Sequence, residues 1–545
     1  LVVKHLKKSY LLITVFILSM FILAACSSDK ESTKDQGDDL NQSTPQSGGT
    51  ITIAATEEPD TLDPHKTGMN VASRITGLMG ASLLTNDPET NEIKPFLADS
   101  YTVSKDGKTI TLKIRQGIVF HDGTPLTAKV YKETFDRILN PETGAKVAAN
   151  FIAGIKTVSA PDDQTLVIEL VVPSAPFLSN LALEGYLQPL SLTAIEKQGD
   201  DYGRNPVGVG PWKFKEWVNG QSITLVRNEE YKWSQSFYEN KEKAYPEKLV
   251  YKFIKDTQTM IAALDSGSVD IVNAAAKDAQ RYRNNKKFEV LEIDSQGIGL
   301  FLEMNIENKI LKDKNVRKAI NMALNKETII KAVLNGEGKP ANGPLPPTIF
   351  GYDPNVESYG NKYNQENAIK LLESSGWSKN STGIMEKDGE VLRFELLTDS
   401  THKQPAQIVQ AMFKEIGIDL SIQTIEAGTL MEKVSKGEYE ISFLKYTYND
   451  PDVLYILFHS SQIGGLNHAR VQNAKLDALL EQGRTTIETE ERKKIYAEAQ
   501  KIIVEEAYWA PIYTQKEYYI VNKRVRGLKL SNSNGLLIHD SWVKQ

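Results

Sequence analysis

Apolar and polar positions alternate with period two in three places, and each alternation breaks on a short polar turn. Tyr101 and Val103 lead to Asp106-Gly107, and Ile110, Leu112 and Ile114 return. Asp-Gly between alternating apolar runs is hairpin chemistry. Trp217 leads through Asn219-Gly220 to Ile223 and Leu225, and Val158 leads through Asp162-Asp163 to Leu166, Ile168 and Leu170. The first half is therefore predicted to be rich in strands. Later the period lengthens. Val316, Ile320, Ala323 and Leu324 share one helical face, as do Ala368, Leu371 and Leu372, where Asn364 is the expected cap and Gly376 the stop. Ile408, Val409, Met412, Phe413 and Ile416 form another stripe, ended by Gly417 and followed by a strand through Ile418, Leu420 and Ile422. A last helix is expected from about Glu490 to Glu505. The sum is mixed α/β without an internal repeat.

The first 26 residues follow neither pattern. Lys4, Lys7 and Lys8 precede the uncharged run LLITVFILSMFILAA, which ends at Cys26. That run is short for a membrane span and suits a cleaved export signal of residues 1–25. Cysteine just after small residues resembles a bacterial lipobox, so Cys26 is the expected lipidation site. Residues 26–48, dominated by Ser, Asp, Lys, Gln and Gly, are expected to be a flexible tether. The body is thus placed outside the cell, anchored by lipid to the outer face of the membrane.

Composition narrows the function. The chain has 545 residues, enough for three or four domains. Its single cysteine rules out a disulfide framework or a cysteine-held cluster, and its net charge of −6 argues against a nucleic-acid surface. The seven histidines include no HxH, HxxxH or HExxH pair, and there is neither a GxSxG elbow nor a Walker loop. Gly208-Val209-Gly210 is followed by Pro211-Trp212 where a nucleotide-binding helix would open, so it reads as a structural turn. His121-Asp122-Gly123 reads as a turn at a strand end. Binding without turnover, with no cofactor or metal, is the expectation. An exported hydrolase built on spatially paired carboxylates is the alternative from another class, and a surface receptor for a peptide signal is a third.

The residues then resemble a known family. Lys94 to Ile138, with the core FHDGTPLTA, is similar to the signature of extracellular solute-binding proteins of the peptide/nickel class, which feed ABC importers. NPVGVGPWKF (205–214), MIAALDSGSVDI (260–271), NVRKAINMALNKETI (315–329), YNQENAIKLLESSGW (363–377) and Asp450-Pro451-Asp452 follow in the family's order. The resemblance runs from Gly49 to the C-terminus. It implies a two-lobed, type II periplasmic-binding-protein-like clamp with an additional domain in its first lobe. Domain I would be 49–88, 206–295 and 517–545, domain II 89–205, and the second lobe 296–516. It further implies a monomer that captures short peptides by lobe closure and passes them to permease subunits. An opine-like conjugate, a nickel chelate or a glycoside is the rival cargo.

Candidate ligand residues follow from the same resemblance. Family peptide binders place an acid shortly before the Asp/Glu-Pro pair to hold the peptide's α-ammonium. Thr447 stands there in this chain, and a hydroxyl offers no compensating charge. Tyr446, Tyr448, Asn449 and Asp450 surround it, and Tyr455 is close by. Trp509 precedes the return to the first lobe. Glu57 and Glu58 follow the first strand, and Gln296 precedes the strand through Ile298, Leu300 and Leu302.

Overall fold

The Asp106-Gly107 turn closes the hairpin that its sequence predicts. Ala98–Val103 and Thr109–Ile114 pair antiparallel with Val103 opposite Ile110, and Gly107 supplies the required positive φ of 69°. Thr165–Leu170 and Ile155–Ser159 extend this hairpin to a four-stranded sheet. Thr127 caps the helix Ala128–Leu139, its side chain accepting from the Val130 amide. That helix buries Tyr131, Phe135 and Ile138 against Ile110, Leu112 and Ile168. The computed structural model describes residues 44–295, 297–446, 448, 450–531 and 535–544. Residues 46–545 form one compact unit. The expected signal, Cys26 and nearly all of the tether lie outside the described residues.

Two lobes share one spine. Among the described residues the largest sheet has twelve strands, organised on the single long strand Trp509–Asn522. The early part of that strand pairs with Gly299–Met304, Glu303 standing opposite Trp509. Its later part pairs with Phe288–Asp294, Asp294 opposite Lys516, and with Ile271–Ala274. The chain thus crosses between lobes once along this strand and again between Asp294 and Gly299. Side-by-side crossings of this kind can serve as a hinge.

In the first lobe Thr50–Ala55 runs parallel to Lys248–Phe253, and Ile51, Leu249, Ile271 and Val521 are buried together. Asp270, fully buried, accepts from Arg524 Nε and Nη2 at 2.6 and 2.7 Å and from the Thr52 amide at 2.9 Å. Those bonds tie the first strand to the C-terminal segment. Asp63 is held likewise, by Arg137 at 2.6 and 3.2 Å, which joins the first lobe to its extra four-stranded layer.

The second lobe places Arg393–Thr398 parallel to Asp419–Thr424 and Ile441–Tyr446. Helices Lys314–Ala323, Gln365–Ser374 and Lys403–Glu415 contribute their apolar stripes to its core. Asn364 caps the second of these, accepting from the Asn367 amide at 2.9 Å. Gly299–Met304 is buried along its whole length, as expected for a strand covered on both faces. No helix among the described residues is long and apolar enough to cross a membrane.

Candidate functional site

A cavity of about 410 Å³ lies where the helix Asn70–Met79, the segment 182–186 and the loop 231–238 meet the crossing strands. This size is within the range of about 300–1,000 Å³ typical of small-solute sites. Ile293, Asp294, Glu517 and Tyr519 line it from the hinge, and Tyr448 lines it from the second lobe. Both lobes therefore contribute to its wall.

Backbone close approach builds the first-lobe side. Gly185 has φ of 86°, and a Cβ there would stand 2.4 Å from the Ser73 carbonyl oxygen. Gln188 donates to the Thr76 carbonyl at 3.0 Å, fastening the same segment to the helix. Gly208, in the turn that resembles a nucleotide loop, packs just as closely: a Cβ on it would fall 2.1 Å from the Met79 carbonyl oxygen. The glycines of that turn serve helix–loop packing.

Glu184 faces the cavity from this clamped segment. Gln235 Nε2 donates to its Oε1 at 2.7 Å. Burial pushes its carboxyl up to about 7, against the lowering effect of the Gln235 bond. Tyr231 and Tyr238 line the same cavity, their rings 5.4 and 5.0 Å from the His539 ring. The remaining charges are at the mouth: Arg74 approaches Glu517 at 3.8 Å, and Lys339 donates to Asp294 at 2.7 Å. Such exposed pairs contribute little energy.

Of the residues singled out from sequence, Tyr448 lines this cavity. Burial raises its hydroxyl pKa, so it stays neutral. Tyr446 instead bonds His468 Nδ1 through its hydroxyl at 3.0 Å, and Tyr455 stacks on His459 at 4.3 Å with Arg484 over its ring. Trp509 is 2% exposed, its ring 4.0 Å from Phe301 and 4.7 Å from Phe458. The expectation that Trp509 faces ligand gives way to a core position, because the strand carrying it is covered on both faces. Asp450 is also withdrawn from the cavity. Arg492 donates to both its oxygens at 2.6 and 3.0 Å, the Asp452 amide donates at 2.8 Å, and Ser179 Oγ reaches it from the other lobe at 3.3 Å. Glu58 accepts from Trp217 Nε1 at 2.7 Å and from the Gly220 amide at 3.0 Å, so it braces a hairpin. Glu57 is exposed and does not line the cavity. Thr447, Asn449 and Gln296 lie outside the described residues.

Glu184 is a residue that sequence reasoning misses. The available signal is a lone acid inside the apolar stretch LSNLALEGYLQPL, immediately before a glycine. Among the described residues no three histidine, cysteine, aspartate or glutamate side chains converge as a metal site.

Residues 92–465, well over half of the chain, match the bacterial extracellular solute-binding proteins, family 5. The chain belongs to that family. As a solute-binding protein it is 27% identical over 554 residues to the oligopeptide-binding protein AppA of Bacillus subtilis, covering 99% of each chain. The solved structure of that AppA, in complex with a nonapeptide, superposes with a TM-score of 0.71 at 26% identity, over 92% of this chain and all of the other. NikZ from Campylobacter jejuni, in complex with Ni(L-His), superposes with a TM-score of 0.70 at 26% identity, over 89% of this chain and 97% of that one. The two-lobed architecture with an extra domain is thus the family's.

Proposed function

We infer that this chain is the substrate-binding lipoprotein of an ABC importer, capturing short peptides by lobe closure and delivering them to a membrane permease without chemical turnover. The observation that carries the reading is the cavity walled by both lobes at the hinge, in a chain of the solute-binding family. A ligand touching both walls favours the closed state in proportion to its extra contacts there. Lipid on Cys26 would hold the monomer at the outer face of the membrane, with the clamp divided as domain I (49–88, 206–295, 517–545), domain II (89–205) and second lobe (296–516). The likeness to AppA supports peptide cargo.

One observation favours a non-peptide solute: Thr447 is neutral where the family resemblance places the acid for a peptide's ammonium. Native mass spectrometry of the chain, purified in detergent without refolding, separates the two. A spread of bound masses matching short peptides is expected. A single non-peptide mass would replace the cargo while keeping the transport role, and steady conversion of the bound species would point to the hydrolase instead.

A further inference from the structure

Three of the buried acids among the described residues are each neutralised by an arginine. Asp63 has Arg137, Asp270 has Arg524 and Asp450 has Arg492, each through two charge-assisted hydrogen bonds. This pattern is what physics requires, since burying an unpaired carboxylate is costly. Glu184 breaks it. Among the described residues its one hydrogen-bond partner is the Gln235 amide, on Oε1. Its Oε2 meets no donor there, and the residue opens onto the cavity rather than being sealed in the core.

We propose that Glu184 is the cation anchor of the solute site, its carboxylate receiving an ammonium, amidinium or guanidinium group of the bound molecule. Gln235 fixes Oε1 and leaves Oε2 for the ligand. Tyr231 and Tyr238 place aromatic rings in the same pocket, a surrounding that suits a desolvated cation. The anchor sits on the first lobe, so an acid at position 447 is not needed to compensate a cationic ligand. The assignment rests on this cavity being the solute site.

The charge state of Glu184 supplies a second handle. Burial pushes its carboxyl up to about 7, and a bound cation would draw it to the ionised form. Burial keeps the Tyr231 and Tyr238 hydroxyls neutral and lowers His539 to about 4, so none of these three changes charge between pH 5.5 and 7.5. The other charged groups facing this region are the Arg74 guanidinium and the Asp294 and Glu517 carboxyls at the mouth, with Arg115 beyond Tyr231, Asp540 beyond Tyr238 and Lys241 near His539. Cation binding should therefore weaken as pH falls.

The test offers the full chain an equimolar mixture of trialanine, N-acetyltrialanine and agmatine, and reads bound masses by native mass spectrometry. Wild type is expected to retain trialanine, agmatine or both, with N-acetyltrialanine at least about tenfold lower. Glu184→Gln, checked for folding by circular dichroism, should lower the retained cations by about tenfold or more. Wild type moved from pH 7.5 to 5.5 should show a loss of similar size, which needs no variant. Equal retention of the acetylated peptide, retention insensitive to both Glu184→Gln and pH, or retention of none of the three overturns the anchor. Agmatine without trialanine, lost in Glu184→Gln, keeps the anchor and removes the peptide reading. Trialanine held equally by both proteins does the reverse.

Discussion

Asp450 in the second lobe is buried and Glu184 in the first is half-buried in a cavity wall, and the fold treats them in opposite ways. Asp450 is saturated: Arg492 grips both oxygens, the Asp452 amide adds a third bond, and Ser179 a fourth. Glu184 receives one amide and faces a cavity. An acid satisfied by the protein has nothing left to offer a ligand, whereas an unsatisfied one is stable only as a neutral group or beside a cation from outside. Glu303 marks the boundary of this rule. It too has no cationic partner among the described residues, but it is sealed in the second lobe's central strand, and burial raises its carboxyl to about 8. It stays neutral at pH 7 and does not line the cavity. Openness to the cleft, not burial alone, separates Glu184 from Glu303.

The comparison breaks most visibly if the saturated acid loses its partner. Arg492 is itself buried, and it also donates to the Gly483 carbonyl at 2.9 Å. Arg492→Ala leaves Asp450 charged and unpaired, and should cost about 3–5 kcal/mol of folding stability. Urea unfolding at pH 7.5 measures it. A loss below about 1 kcal/mol would mean that water reaches Asp450 and that the pair is no dry anchor.

The unsatisfied acid should behave in the reverse sense. Its folded pKa lies above its unfolded value of 4.5. Neutral Glu184 carries no penalty below pH 4.5. The penalty grows as pH rises from there through about 7, because the unfolded chain gives up the proton more readily. Glu184→Gln does not titrate, so the ligand-free variant should be more stable than wild type by about 1–3 kcal/mol at pH 8, and close to it at pH 4.5. Unfolding midpoints at the two pH values test the sign. A variant less stable at pH 8 would show that the carboxylate already has a cation within the protein.

Much of the fold was legible because local chemistry and packing agree. The Asp106-Gly107 turn, the stripe from Ile408 to Phe413 and the Asn364 cap each need only neighbours in sequence, and the strands and helices they predict are present. The site was less legible because it is assembled at long range. Trp509 and Tyr446 both lie in strands, but the faces they occupy depend on Phe301, Phe458 and His468, brought in by other elements. Glu58 reads as available in sequence, and only the folded 217–220 hairpin claims it. Glu184 gains its meaning from Gln235, 51 residues away, and from having no arginine beside it among the described residues, which no local pattern displays.

The smallest expected effect concerns the contact that joins the compared regions. Ser179 lies in the helix Ala175–Leu181 of the first lobe's extra layer, and its hydroxyl reaches Asp450 in the second lobe. At 3.3 Å the bond is long, so despite its charged acceptor it should contribute only about 0.5–1.5 kcal/mol, toward the lower end of the range for hydrogen bonds. Ser179→Ala removes it while Arg492 still satisfies Asp450, so global unfolding should barely change. What should change is the balance between open and closed clamps, by a factor of about two to ten toward open. Single-molecule FRET between labels at exposed Lys129 and Lys436, one on each lobe, reads that balance directly. An unchanged distribution with unchanged stability would show that this hydroxyl does not hold the lobes together. Closure would then rest on the ligand, and on the cavity that Glu184 and Tyr448 share.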